Sequence, residues 1–541
     1  MSLKPFFILI LVAAAFCAKA QHAGQASDTV IKGATIEVEQ SYKPQVKQAP
    51  KPTWVPQLPP ADTTHPSFSY DVPQQTLYYT YTSLPLRPLA LGKDTEKLPF
   101  ANYLSVGAGN LSTLYLDAGI GGISGNNYET DIHLHHISQK GTTEYQQSSL
   151  SGIETEGTLH NDFSDWHAVI DAERNQYYYY GYDHALLDYS SDQVRQTYTT
   201  IRACVDTRNT DSTDKIDYHP TIFAYVYEAR FNTSETNIGF NAPVTYDFDN
   251  NLQAQVAVNA DIAHLATNGQ SVNNGIGELL PGVNLHTGGF SGHALLGFAL
   301  GMGGSGYVLP DVQAALIIPN TKFAMSAGYQ ATLRQNTYEQ LTTENPYLSN
   351  VYTTTQTRRD EVYAELQGSE GNHLSYSGRI SWWQYQGLPT FLNDTGDHKQ
   401  FYVVYDNVKA VSVQLAARYK MADRWSAGVT GDFYHFYNGS QTYVWQEPNA
   451  KIKGDFTVML FSKLTVTAYL AFINGIYAKD GAGHINELKA IADLGGKAEY
   501  QIIPRLSAFA QLDNILNDEY QRWMGYQAYG VNIFGGLRLK F

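Results

Sequence analysis

The sequence predicts an all-β protein: a transmembrane antiparallel β-barrel of the outer membrane, with about 22 strands (range 18–22) and a Pro-rich N-terminal arm. Three observations predict it. Apolar side chains recur at every second position over long stretches, connections alternate between tight and long, and the chain opens with an export leader and closes on an alternating strand.

The leader comes first. Residues 1–20 pair a short basic start at Lys4 with an apolar run from Phe6 to Phe16 and an Ala18-Lys19-Ala20 cleavage site, the pattern of a secretory signal peptide. That run is shorter than the roughly 20 apolar residues a spanning helix needs. With Cys17 in the leader, Cys204 is the one cysteine of the mature chain, too few for a CxxC zinc site or a redox pair. Without Lys4 and Lys19 the mature chain has 34 basic and 51 acidic residues, a balance of −17. An acidic chain excludes nucleic acid as a partner, because phosphate neutralisation needs clustered Lys and Arg.

Residues 21–99 follow as an extended periplasmic arm or linker. Ten prolines fall between Pro44 and Pro88, in runs such as KPQVKQAPKPTWVPQLPP, and proline favours extended polyproline conformations.

The barrel is expected over residues 100–541. Forty Tyr, 23 Phe and seven Trp make the chain 13% aromatic, while apolar residues reach only 43% and are spread out instead of forming runs. Successive strand side chains point to opposite faces, so alternation separates a lipid face from a lumen face. Ile452, Phe456, Val458 and Leu460 alternate with Lys451, Lys453, Asp455 and Thr457; Ala492, Leu494 and Ala498 alternate with Lys489, Asp493, Lys497 and Glu499; and Leu537, Leu539 and Phe541 alternate with Arg538 and Lys540. Strands of ten or more residues exceed the length usual in soluble sheets. Tight turns are expected near 122–127, 161–165, 208–214, 248–251, 286–289, 318–321, 370–373, 421–424, 461–463 and 502–505, and ten such turns on the terminus-bearing side imply 22 strands. Aromatics at strand ends, as in Tyr177 to Tyr180, Phe433-Tyr434 with Phe436-Tyr437, and Trp382-Trp383, are expected to form interfacial girdles.

A barrel must pair its last strand with its first to leave no open edge in hydrocarbon. The final strand is therefore expected to be structural to its end. Leu537, Leu539 and Phe541 are the expected membrane-assembly signal, read by the barrel-insertion machinery. Lys451, Lys453, Asp455, Lys489, Asp493, Lys497, Glu499 and Arg538, with Arg418, Lys420 and Lys540, are expected to line the lumen, solvating it and bracing the wall through cross-strand pairs.

The stretch LSAFAQLDNILNDEYQRWMGYQAYGVNIFGGLRLKF (506–541) resembles the end of a TonB-dependent receptor barrel, with Asn514-Ile515-Leu516, Tyr520, Gly530, Gly535-Gly536 and Phe541 holding the recurrent places. ENPYL (344–348), QGLPTFLND (386–394) and HHISQKG (135–141) are similar to loop and rim segments of the same group. The resemblance implies outer-membrane uptake. One departure qualifies it: a receptor of this family carries a plug domain before the barrel, and the Pro-rich stretch cannot build one. TIEVEQSYKP (35–44) also resembles the box by which such receptors pair with TonB through strand addition, an extended linker being the plainer reading.

Other motifs carry less. GMGGSG (301–306) fits a dinucleotide fingerprint, but YVLPDVQAALIIP follows instead of a helix, so it reads as an outer loop. His133 and His135 share a strand face without an identifiable third ligand and read as rim histidines, so no metal is expected. DTRNTDSTDKID (206–217) lacks the calcium-loop spacing and reads as a periplasmic turn. No catalytic residue and no cofactor is expected, and the protein is not expected to be an enzyme. A barrel this wide needs its lumen occupied, by inward-folded loops, by the arm, or by a lumen-filling or lipoprotein partner. Passage of an unidentified solute across the outer membrane is the favoured function. The alternative is a non-transporting structural subunit of an outer-membrane assembly or export complex.

Overall fold

The computed structural model describes residues 102–541 apart from 211–214, 250, 319–320, 372, 422–423 and 438; the expected leader and Pro-rich arm lie outside the described residues. The described chain is built of antiparallel strands in which each pairs with its neighbours in sequence, from Tyr103–Gly109 to Asn532–Lys540. These two end strands pair with each other, Tyr103 opposite Lys540 and Gly109 opposite Phe534, so the sheet closes into a barrel.

Closure gives 22 strands. Ile216–Tyr218 and Thr221–Ala229 form one of them, because both keep a single register against Thr233–Asp247, with Tyr218 opposite Val244 and Thr221 opposite Asn241. Pro220, which lacks the N–H that a ladder needs, causes the interruption. Strands run from 7 residues at Tyr103–Gly109 to 21 at Phe401–Met421. About 9–11 tilted residues suffice to cross a bilayer, so the longest strands project beyond it. Among the described residues no helix is long and apolar enough to cross a membrane.

Tyr103 and Phe541 mark one end of the barrel, called here the terminal end; the other is the distal end. Each of the ten regions predicted as tight turns joins consecutive strands at the terminal end. Phe461 and Ser462 sit in one of these turns with φ of 54° each. The long connections, including 179–194, 336–355, 475–490 and 514–531, all lie at the distal end. The shortest distal connection is at Asn268 and Gly269, which with φ of 47° and 79° make the two-residue turn between Leu252–Thr267 and Gln270–Thr287, where twisted strands favour positive φ at both positions.

Alternation places Ile262, Leu279, Val283, Ile380, Leu537 and Leu539 on the exposed outer face. The girdles are only partly where the sequence suggested. At the terminal end, exposed Phe163, Phe248, Phe290, Phe323, Phe461, Tyr500 and Phe541 ring the barrel. At the distal end, Trp382 donates from Nε1 to the hydroxyl of Tyr437 (2.7 Å) on the outer face. Tyr178, Tyr179 and Tyr180, expected in a girdle, are instead buried. The strand Ser164–Tyr178 ends there, and the next rings turn inward, where the hydroxyls of Tyr179 and Tyr180 donate to the carbonyls of Leu348 (3.2 Å) and Gln527 (2.8 Å).

Candidate functional site: the lumen and its distal cap

Three distal loops, 179–194, 336–355 and 514–531, fold into the barrel and build a tyrosine-rich core against the inner wall. The 336–355 loop forms a short helix, Tyr338–Glu344. Thr337 caps it by accepting from the N–H of Gln340 (3.2 Å), and it stops before Asn345-Pro346, where a residue preceding proline disfavours helical backbone. Tyr338, Leu341 and Thr342 are buried.

The wall holds this helix with polar groups. The carboxylate of Glu235, only 1% exposed, accepts from the N–H groups of Tyr338 (2.6 Å) and Glu339 (3.1 Å) and from the Tyr225 hydroxyl (2.8 Å). Arg202 pairs with Glu339, both nearly buried. The Tyr227 hydroxyl meets that of Thr342 at 2.5 Å. Removing one partner of such a buried set leaves the other unsatisfied, so the set acts as a latch.

Aromatic packing joins the loops. Tyr347 stacks on Tyr526 with centroids 3.4 Å apart, and Trp523 meets Phe391 and Phe401 edge-on at 5.2 and 5.6 Å. Each such pair adds roughly 0.5–1.5 kcal/mol beyond the area it buries. Tyr189 donates to Asp397 (2.7 Å), and Lys399 pairs with the same carboxylate, tying the loop 179–194 to 394–400.

The predicted lumen residues separate into groups. Arg538 donates from Nε to Ser105 Oγ (2.8 Å) and lies 3.4 Å from Glu499 and 3.6 Å from Asp117 across the closure seam. Asp117 also accepts from Tyr103 (3.0 Å) and Tyr115 (3.1 Å) and contacts His133 Nε2 at 2.7 Å. Asp493 accepts from the Tyr520 hydroxyl (3.0 Å) and the N–H of Asn514 (3.2 Å), anchoring the 514–531 loop. Lys489 precedes the strand Ile491–Ile503 and pairs with Asp518 of that loop. Lys497 sits over the Phe509 ring at 5.3 Å. Lys451 approaches Glu447 at 3.7 Å, and Lys453 is exposed. Asp455 pairs with Arg418 at 2.8 Å across the intervening Gly428, where a Cβ would stand 2.6 Å from each partner and would push the pair aside.

His133 and His135 face the lumen, not an interface rim: Leu134 between them is on the exposed outer face, and His135 lies 3.9 Å from Glu173. Among the described residues no group of three His, Cys, Asp or Glu is arranged to hold a metal ion. Sequence reasoning missed Arg202, Glu235 and Glu339 altogether. The available signals were Thr337 and Asn345-Pro346 as helix boundaries and the tyrosines that run past the strand ends.

No family model matches the sequence, and no curated protein matches it. Many solved structures do match. The FrpB iron transporter from Neisseria meningitidis (F3-3 variant) superposes with a TM-score of 0.65 at 11% identity over 81% of each chain. A mutant of the ferric enterobactin receptor PfeA from Pseudomonas aeruginosa gives 0.61 at 10% identity, over 81% of this chain and 80% of that one. The copper transporter OprC gives 0.60 at 10% identity with the same coverage. At this identity the likeness defines the fold: this chain has the barrel fold of TonB-dependent receptors.

Proposed function

We propose that the protein is an outer-membrane barrel that passes a small solute, with its terminal end in the periplasm, its distal end outside, and the Pro-rich segment 21–99 as a periplasmic arm in place of a plug. The observation that carries this reading is the distal cap. A closed 22-strand wall surrounds a lumen lined with charged residues, and the described loops that fold into it are held by a few polar contacts, an arrangement that can open. The similar fold of proteins described as iron and copper transporters supports the same reading. In this account Leu537, Leu539 and Phe541 guide assembly by the insertion machinery, while the lumen charges keep the path wetted.

Osmotic swelling of proteoliposomes tests it. Vesicles carrying the purified protein should swell in sugars or amino acids below a size limit, and empty vesicles should not. Absence of swelling for every solute, together with stable partners co-purifying from native membranes, would favour the non-transporting assembly subunit.

A further inference from the structure

We infer that the lumen wall carries a binding site for an acidic saccharide, built around Arg359. The inference rests on the solute-passage reading and deepens it. Arg359 lies on the strand Gln356–Glu370, whose Val362 and Leu366 face outward, so alternation turns Arg359 into the lumen. Its Nε is buried without a partner, and the guanidinium makes no hydrogen bond or ion pair among the described residues. The nearest carboxylate on its own face, Glu361, is committed elsewhere: Arg379 grips it through two bonds (2.7 and 3.0 Å) and Ser381 donates to it (2.6 Å). Arg334, diagonal to Arg359 on the neighbouring strand, hydrogen-bonds to the side chain of Gln340 in the cap helix and faces Glu344 at the end of that helix, so it supplies no anion to Arg359. A cationic group so placed lacks its anion.

The surroundings specify what kind of anion. Tyr385 stands directly opposite Arg359, and Trp383 stacks beside Tyr385 with centroids 5.7 Å apart and planes 14° from parallel. Two strands on, Tyr434 and Phe436 form a second parallel pair at 5.6 Å and 8°. Between the two ring pairs runs Phe401–Met421, which offers only small side chains there. Ala410 lies between Trp383 and Phe436, and Ser412 between Ser381 and Tyr434, both fully buried beneath the rings. Ser412 also fixes Trp383, accepting from its Nε1 at 2.8 Å. The hydroxyls of Tyr385 and Tyr434 make no hydrogen bond among the described residues.

A guanidinium presents a planar fork that matches a carboxylate or sulfate through two parallel bonds. Phenolic hydroxyls both donate and accept, as sugar hydroxyls require. Aromatic rings supply apolar surface against which the C–H bonds of a pyranose can pack. A flat aromatic acid would use the rings and the arginine but leave the hydroxyls idle, so the combination fits a uronate-bearing sugar better.

The test is isothermal titration of the full chain in detergent with trigalacturonate, its methyl ester, neutral maltotriose and salicylate. Trigalacturonate should bind saturably, and at least tenfold more weakly after esterification or in Arg359→Gln, while Arg359→Lys recovers part of the loss. Arg418→Gln, which breaks an ion pair elsewhere in the lumen, should leave binding unchanged. Esterification alone carries the test should Arg359→Gln fail to fold. No saturable binding, equal binding of the ester, or salicylate binding as tightly as trigalacturonate would overturn the inference. Swelling without trigalacturonate binding would sink this site alone; binding without swelling would sink the passage reading alone.

Discussion

Glu344, the last residue of the cap helix, shows how one side chain can bias the cap. Glu344 keeps an exposed face toward the lumen, but the protein crowded around it, and then the negative charge of Glu447, raise its carboxyl above the ordinary carboxylate range, while Arg334 and Arg522 oppose the shift more weakly. A carboxyl whose folded value exceeds its unfolded one keeps a proton in the closed cap that an opened loop releases. Such a group favours the cap below the ordinary value and loses that contribution as pH rises through the raised one. Asp397 works in the opposite sense. Burial pulls its carboxyl up, but the bonds from Lys399 and Tyr189 outweigh burial and hold it below the ordinary range, so its contribution disappears only in acid. Emission from Trp523, isolated as the difference from Trp523→Phe, should therefore shift red as pH rises above the ordinary carboxylate value. Glu344→Gln should flatten that shift, and an unchanged profile would remove Glu344 from the account.

At the scale of strands and loops, the outer face is a solvent problem with a simple solution. Ile380 sits between Ala364 and Val413 on neighbouring strands, in an exposed apolar band that only lipid can satisfy. Ile380→Arg should destabilise the barrel by about 2–4 kcal/mol if the site lies near the bilayer midplane, read as a lower urea midpoint in lipid vesicles, whereas Lys453→Gln, on the lumen side, should change little. This part of the fold was legible in the sequence because it is local: a period of two is visible in ten residues, and each terminal-end turn announces itself within a few. The cap was not, because its contacts join distant segments. Tyr179 to Leu348 spans 169 residues, Arg202 to Glu339 spans 137, and Tyr180 to Gln527 spans 347. The lumen charges fall between these cases. Parity indicated that Arg538 and Glu499 share a face, but their meeting across strands 39 residues apart depends on register. Parity also extended the last acidic-basic strand back to Lys489, two residues before Ile491 begins it, because alternation continues past a strand end where the backbone no longer obeys it.

For the molecule as a whole, closure and occlusion are separate tasks. Pairing of Tyr103–Gly109 with Asn532–Lys540 removes the sheet edge, with Arg538 bridging the seam to Ser105 on one side and Glu499 on the other. Closure leaves a lumen wide enough to need filling, since barrels of 22 strands are found plugged. Among the described residues the distal loops reach into that lumen, held at Arg202, Glu235 and Glu339, and in the proposed reading they gate it. Single-channel recording in planar bilayers, comparing the native chain with the unlatched variant Arg202→Gln/Glu235→Ala/Glu339→Gln, tests this most directly, with heat-modifiable gel migration verifying that both barrels are folded. The native protein should be mostly closed with brief openings, and the unlatched one should show long steps of larger conductance. Two folded proteins with identical traces, whether both silent or both fully open, would contradict a lumen gated by its own loops.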